Sequence, residues 1–186
     1  MEVVNALFPG LAAIPNLHPV LVHFPIAFFL GALLMEAMAI FYHERFHSLA
    51  SWMCYLATLT ALITLFSGLF AEQGIAAASP VGHHGPGHNF IHIHRNFMIV
   101  ATTVALLFTT YLFIVNLRQA WPKQRWGILI GLSIVCILIS LGADRGSRLV
   151  FEFGIGVNPK LLKAPPITDT NHPEDAHEEE FRGHPE

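Results

Sequence analysis

Four continuous apolar runs, residues 20–41, 51–71, 97–117 and 126–143, divide the chain. Each can cross a hydrocarbon layer about 30 Å thick as a helix. A segment in lipid must satisfy its own backbone hydrogen bonds, so helix is predicted despite many β-branched residues. The separators at 42–50 and 118–125 are short, which makes the first and second runs, and the third and fourth, antiparallel neighbours. The pattern predicts an all-α fold, an integral membrane four-helix bundle running up-down-up-down within residues 1–157. Residues 158–186 read as a separate tail: from Asp169 onward they carry seven acids and few apolar side chains, a composition expected to be disordered.

Composition narrows the class. With 53% hydrophobic and 12% charged residues among 186, and a mean hydropathy of +0.52, a soluble globule is excluded. A formal charge of −3 offers no basic surface for nucleic acid. Cys54 and Cys136 lie inside apolar runs, and there is no Cys-x-x-Cys or Cys-x-x-Cys-His, so disulfide scaffolds, zinc ribbons and covalently attached c-type haem drop out. Residues 1–16 hold one acid and no Lys or Arg, so the first run is expected to stay as a membrane anchor. Arg45, Arg118, Lys123 and Arg125 crowd two short loops, whereas the remaining cations are spread over longer segments. That density predicts that this side is cytoplasmic and that both termini and the middle loop lie outside, periplasmic in a bacterium.

Twelve histidines are then distributed unevenly. His18, His23, His83, His84, His88, His92, His94, His172, His177 and His184 share one side of the membrane, and only His43 and His47 lie opposite. The stretch Leu17-His-Pro-Val-Leu-Val-His-Phe-Pro-Ile26 opens the first helix. An imidazole at the start of a span is a functional candidate, because burying it unpaired is expensive. The alternative is a pair of interfacial histidines capping the helix end with water. Pro19 and Pro25 stiffen this entrance.

The stretch Gly82-His-His-Gly-Pro-Gly-His-Asn-Phe-Ile-His-Ile-His-Arg-Asn96 begins as a loop, and Asn89 is expected to cap the third helix. His88 and His92 are spaced one turn apart, which suits Zn or Cu, with His83 and His84 folding over to complete the shell. A solvated polar loop is the alternative. His94 stands three residues before the apolar run, at about the depth of His23. Glu36 is the one acid well inside a run, and the eighteen residues from His18 to Glu36 make five turns, so both fall on one face as elements of a proton path. Thr58, Thr60, Thr64 and Ser67, and the pair Gly127 and Gly131, read as close helix packing. No Ser-His-Asp elbow, phosphate loop or His-Glu-x-x-His is present.

His18-Pro-Val-Leu-Val-His-Phe-Pro-Ile26, Glu36, His94 and the closing Arg148-Leu-Val-Phe-Glu-Phe-Gly-Ile-Gly-Val157 resemble an uncharacterised family of bacterial four-helix inner-membrane proteins, over about residues 14–157. The resemblance implies fold and location and no settled activity. The family's closing segment often reads Leu-Val-Tyr-x-His-Gly-x-Gly-Val; Phe151 and Phe153 stand here at the Tyr and His positions.

In the predicted topology the first and third helices run the same way across a diagonal, so His23 and His94 are expected to face each other near the outer surface. Two neutral imidazoles across a four-helix core are the ligand set of a b-type haem, a one-electron carrier. The leading expectation is an electron-transfer protein rather than an independent enzyme. It has a single outer-side haem b on His23 and His94, and His18 is a substitute ligand or hydrogen-bond partner. A quinone or a periplasmic redox protein is the expected partner. The alternatives are a metal-handling membrane protein binding Cu or Zn through His83, His84, His88 and His92, and a structural subunit of a homo-oligomer or larger membrane complex.

Overall fold

The computed structural model describes residues 16–78 and 87–156, the side chains of 74–78 excepted. The described residues form the helices α1 (His18–Leu21), α2 (His23–Phe41), α3 (Arg45–Ala78), α4 (His88–Leu117) and α5 (Trp121–Phe151). α1 and α2 together make one span of 24 residues, so four helices are long and apolar enough to cross a membrane. His83, His84 and the tail expected over 158–186, with His172, His177 and His184, lie outside the described residues.

The offset between α1 and α2 at Val22 has a local cause. Pro25 lacks the N–H that would bond the Leu21 carbonyl four residues back. In lipid a freed carbonyl needs another donor, and the Thr64 hydroxyl on α3 supplies it at 3.2 Å.

α2 packs on α3, α3 on α4, α4 on α5, and α5 returns to α2. The bundle therefore runs up-down-up-down with α2 and α4 on a diagonal. Large apolar side chains such as Leu34, Phe66, Leu107 and Ile137 face outward, as a surface against lipid tails allows. The interior is lined by small residues that bring backbones close: Ala50, Cys54, Ala57 and Ala61 on α3, and Ala101 and Ala105 on α4, are buried. Gly131 serves this packing, since a Cβ there would meet the Phe108 ring at 2.7 Å. Gly127 does not, its nearest contacts being ordinary ones at 3.8 and 3.9 Å.

The helices outrun the apolar runs. α4 and α5 have 30 and 31 residues, about 45 Å at 1.5 Å per residue, and their extra turns rise beyond the apolar segment at the end that holds His18 and His94. We call this the histidine end, and the opposite end, with the connections at 42–44 and 118–120, the loop end. Asn89, the expected cap of α4, lies in its first turn; the cap position is Gly87, with no side-chain bond. A Cβ there would come within 2.9 Å of the Ile155 side chain and 3.2 Å of Phe153, so a larger residue would have to push both aside.

The closing segment explains that contact. Gly154 takes φ +63°, its N–H bonds the Val150 carbonyl, and the Ile155 N–H bonds the Leu149 carbonyl, each at 3.0 Å. The 5→1 bond of Gly154 is that of an αL helix ending, which needs a left-handed residue, and it folds the chain back over the start of α4. Phe153 then lies on Phe90 at 4.8 Å between ring centroids. The exposed Arg148 forks onto Glu152 at 2.8 and 2.9 Å, and that hydrogen bond holds the Glu152 carboxyl below its usual range.

Candidate functional site

Two cavities mark the two ends. The one at the histidine end has a volume of about 550 Å³ and is lined from every span, with His18, His23 and His94 on its wall and Ile155 and Gly156 of the closing segment at its edge. The three histidines have different environments. His18 is half-buried, with Nδ1 at 3.0 Å from Ser67 Oγ and 3.2 Å from the Thr64 carbonyl. The Ser67 hydroxyl itself donates to the Thr64 carbonyl at 2.7 Å. Its proton is thereby used, so Ser67 Oγ accepts from His18, and Nδ1 carries the ring hydrogen. Nε2 is left with its lone pair. The ring fits because residue 68 is glycine: a Cβ there would lie 2.9 Å from His18 Cε1.

His94 stands on α4, across the diagonal from His18, and packs against Gly146, where a Cβ would lie 3.2 Å from its Cε1. Its Nδ1 is buried without a hydrogen-bond partner. His23 is exposed, and its Nδ1 turns back to the Val20 carbonyl of its own turn at 3.3 Å. The structure therefore brings His18 and His94 together as inward groups and leaves His23 at the margin.

Beside this cavity His88 and His92 approach each other, Nε2 to Nε2, at 2.9 Å. Glu72 Oε1 lies 3.3 Å from His92 Nδ1 and accepts from Arg95 at 2.9 Å. Among the described residues no group of three side chains is arranged to hold a metal ion.

The loop end carries a denser polar cluster. Glu36 is 1% exposed. Its carboxylate meets His47 Nδ1 at 2.7 Å and accepts from Trp121 Nε1 at 2.7 Å. His47 Nε2 reaches Asn116 Oδ1 at 2.8 Å, and the Asn116 amide donates to Ser51 Oγ at 2.9 Å and Tyr55 OH at 3.0 Å. His47 stacks on Trp121 with ring centroids 5.0 Å apart. An open cavity of about 790 Å³, lined by His43, His47, Tyr55, Asn116 and Trp121 among others, gives access to the cluster from the loop end.

Sequence reasoning singled out Glu36 and put His47 in a loop. α3 begins at Arg45, which puts His47 inside the helix and aims it at Glu36. The available signal was polar periodicity: Ser51 and Thr58 on α3, and Thr102, Thr109 and Asn116 on α4, recur every seven residues and are turned into the bundle, where Thr58 and Thr109 share a hydrogen bond of 2.7 Å. Cys54 and Cys136, read as core, are buried.

Four apolar spans around buried polar groups define a multi-pass protein of the lipid bilayer. The chain belongs to the DUF2231 family, described as predicted membrane proteins, whose profile matches residues 14–159. No curated protein and no solved structure matches it.

Proposed function

We propose that the histidine-end cavity holds a b-type haem between His18 and His94, and that the protein is a one-electron carrier in the membrane. One observation carries this reading: two inward imidazoles from diagonally opposed helices share one mainly apolar cavity of about 550 Å³, within the range of cofactor sites. The residues fit such a group. The His18 ring hydrogen is fixed on Nδ1 by Thr64 and Ser67, the arrangement that orients a metal-binding imidazole. His94 is half-buried and its buried Nδ1 lacks a hydrogen-bond partner, an imperfection that a bound group would correct by reorienting the ring. Haem bound there supplies a reversible one-electron couple; the chain's part is to hold the imidazoles and exclude water.

This reading prefers His18 to His23 as the partner of His94, because His23 faces outward. Arg45, Arg118, Lys123 and Arg125 at the loop end favour a bacterial inner-membrane orientation with the histidine end periplasmic, where a quinone or a periplasmic redox protein exchanges the electron.

The test is the dithionite-reduced minus oxidised absorption spectrum of detergent-purified protein made in cells supplied with a haem precursor. A stoichiometric b-type spectrum is expected, lost in His18→Ala and His94→Ala and kept in His23→Ala. A flat spectrum from well-folded protein refutes the reading.

A second reading has its own observation. His88 and His92 converge through Nε2, and the other ring nitrogen of His92 faces the Glu72 carboxylate, the relation in which a carboxylate orients a metal-bound histidine. With His83 and His84 supplying further ligands, the protein would handle Cu or Zn. Metal bound this way is released as pH falls through about 6, where imidazoles protonate; elemental analysis of the parent and His92→Ala decides.

A further inference from the structure

The hydrogen-bond directions around Glu36 determine where protons sit. The Ser51 hydroxyl donates to the His47 carbonyl at 2.9 Å, so its oxygen can only accept from the group that meets it at 2.9 Å, the Asn116 amide nitrogen. That orients Asn116 with its carbonyl oxygen toward His47 Nε2, which must therefore carry a hydrogen. On the far side of the ring a single proton lies between His47 Nδ1 and Glu36 Oε2, 2.7 Å apart. It sits on the imidazole, giving an imidazolium facing a carboxylate, or on the carboxyl, giving two neutral groups. Either way the pair has no net charge, the form in which a carboxyl is tolerated inside a membrane.

Removing this proton leaves a carboxylate against an imidazole lone pair. Adding one sets an imidazolium against a carboxylic acid. The first change breaks the Nδ1 to Oε2 contact, the second leaves the pair with a net positive charge, and both alter the charge that Trp121 touches, since its N–H bonds Glu36 Oε1 and its ring stacks on His47. Access is one-sided. Toward the loop end His47, Trp121 and Asn116 line the open cavity of about 790 Å³. One to two turns toward the histidine end, Phe29, Ala32, Cys54, Leu112 and Ile128 form a layer no more than 1% exposed, from which bulk water is excluded.

We propose that Glu36 and His47 form a proton-binding site that exchanges its proton with water at the loop end and not at the histidine end. The other titratable groups facing it are Cys54, which interacts electrostatically with Glu36, Tyr55, joined through Asn116, and His43, Glu44 and Arg45 across the cavity. The site stands independently of the haem reading, because nothing in it requires an occupied histidine-end cavity.

Trp121 is the reporter. In Trp52→Phe/Trp126→Phe protein, Trp121 is the sole indole, and a protonated imidazole stacked on an indole quenches its emission. In nanodiscs the emission is expected to change in a step with pH while helicity by circular dichroism stays constant, and the step is lost in Glu36→Gln and His47→Asn. No step in the parent, or a step that survives both substitutions, overturns the proposal. Sidedness is measured in sealed vesicles, where Arg118→Cys and a membrane-impermeant maleimide count the copies with the loop end outward. A jump in external pH should move that fraction of the signal; movement of the whole signal, or of none, overturns one-sided exchange even where the Glu36 and His47 variants fail to fold.

Discussion

Replacing His47 with Leu removes one partner of a buried pair and leaves the other in place. Glu36, 1% exposed, loses the imidazole and keeps only the Trp121 N–H, while Asn116 Oδ1 loses its donor. Breaking a buried ion pair from one side costs about 3–5 kcal/mol. The protonated carboxyl limits the loss, which places His47→Leu near the lower figure. Glu36→Leu leaves His47 Nδ1 and Trp121 Nε1 unpaired, at about 1–3 kcal/mol for each buried group. The double variant strands Asn116 Oδ1 and the Trp121 N–H but no carboxyl, so it should fall short of the summed single costs by about 2 kcal/mol, within the usual coupling of contacting residues. Reversible unfolding in mixed micelles, followed by helicity, measures all three variants. Additive costs, or a His47→Leu cost below about 0.5 kcal/mol, would refute the assignment of Glu36 and His47 as one cooperative unit.

Other substitutions test the remaining structure. Gly68→Ala places a methyl 2.9 Å from His18 Cε1 and 3.3 Å from its Nδ1, so it should displace the ring and reduce any b-type signal, whereas Gly127→Ala, with contacts no closer than 3.8 Å, should leave the spectrum unchanged. Thr64→Val strips the donor from the Leu21 carbonyl that Pro25 leaves free and should lower stability by about 1–3 kcal/mol; Thr60→Val, whose hydroxyl bonds only carbonyls of its own helix, should cost less, and equal costs would count against the account of the α1–α2 offset. Cys54 and Cys136 are buried, so maleimide should label them only after unfolding, and rapid labelling of folded protein would show that the core is open.

The four spans and their antiparallel order are legible in the sequence because lipid leaves a chain few options: an apolar run of about twenty residues must close its own hydrogen bonds as a helix. Boundaries were less legible. Ends of α3, α4 and α5 extend past the apolar runs because helices that pack on one another at the histidine end do not need lipid-matching side chains there. Candidate residues divide similarly. His18 and His94 stand out by position in the chain, and the five-turn spacing from His18 to the buried Glu36 already puts His18, not His23, on the inward face; the notch that receives its ring, at Gly68 on a different helix, is decided by packing.

Composition and hydrophobic spacing by themselves determined a four-helix membrane bundle, its topology, and the presence of one acid inside a span. Tertiary structure alone decided what that acid meets. Glu36 meets His47 and Trp121, and His47 in turn meets Asn116; Trp121 and Asn116 lie 85 and 80 residues beyond Glu36 in the chain, and only helix packing brings such distant groups into one network. Hydrophobic burial is non-directional and is written in the pattern, whereas hydrogen-bonded networks depend on rotation and register of packed helices, which the pattern leaves open.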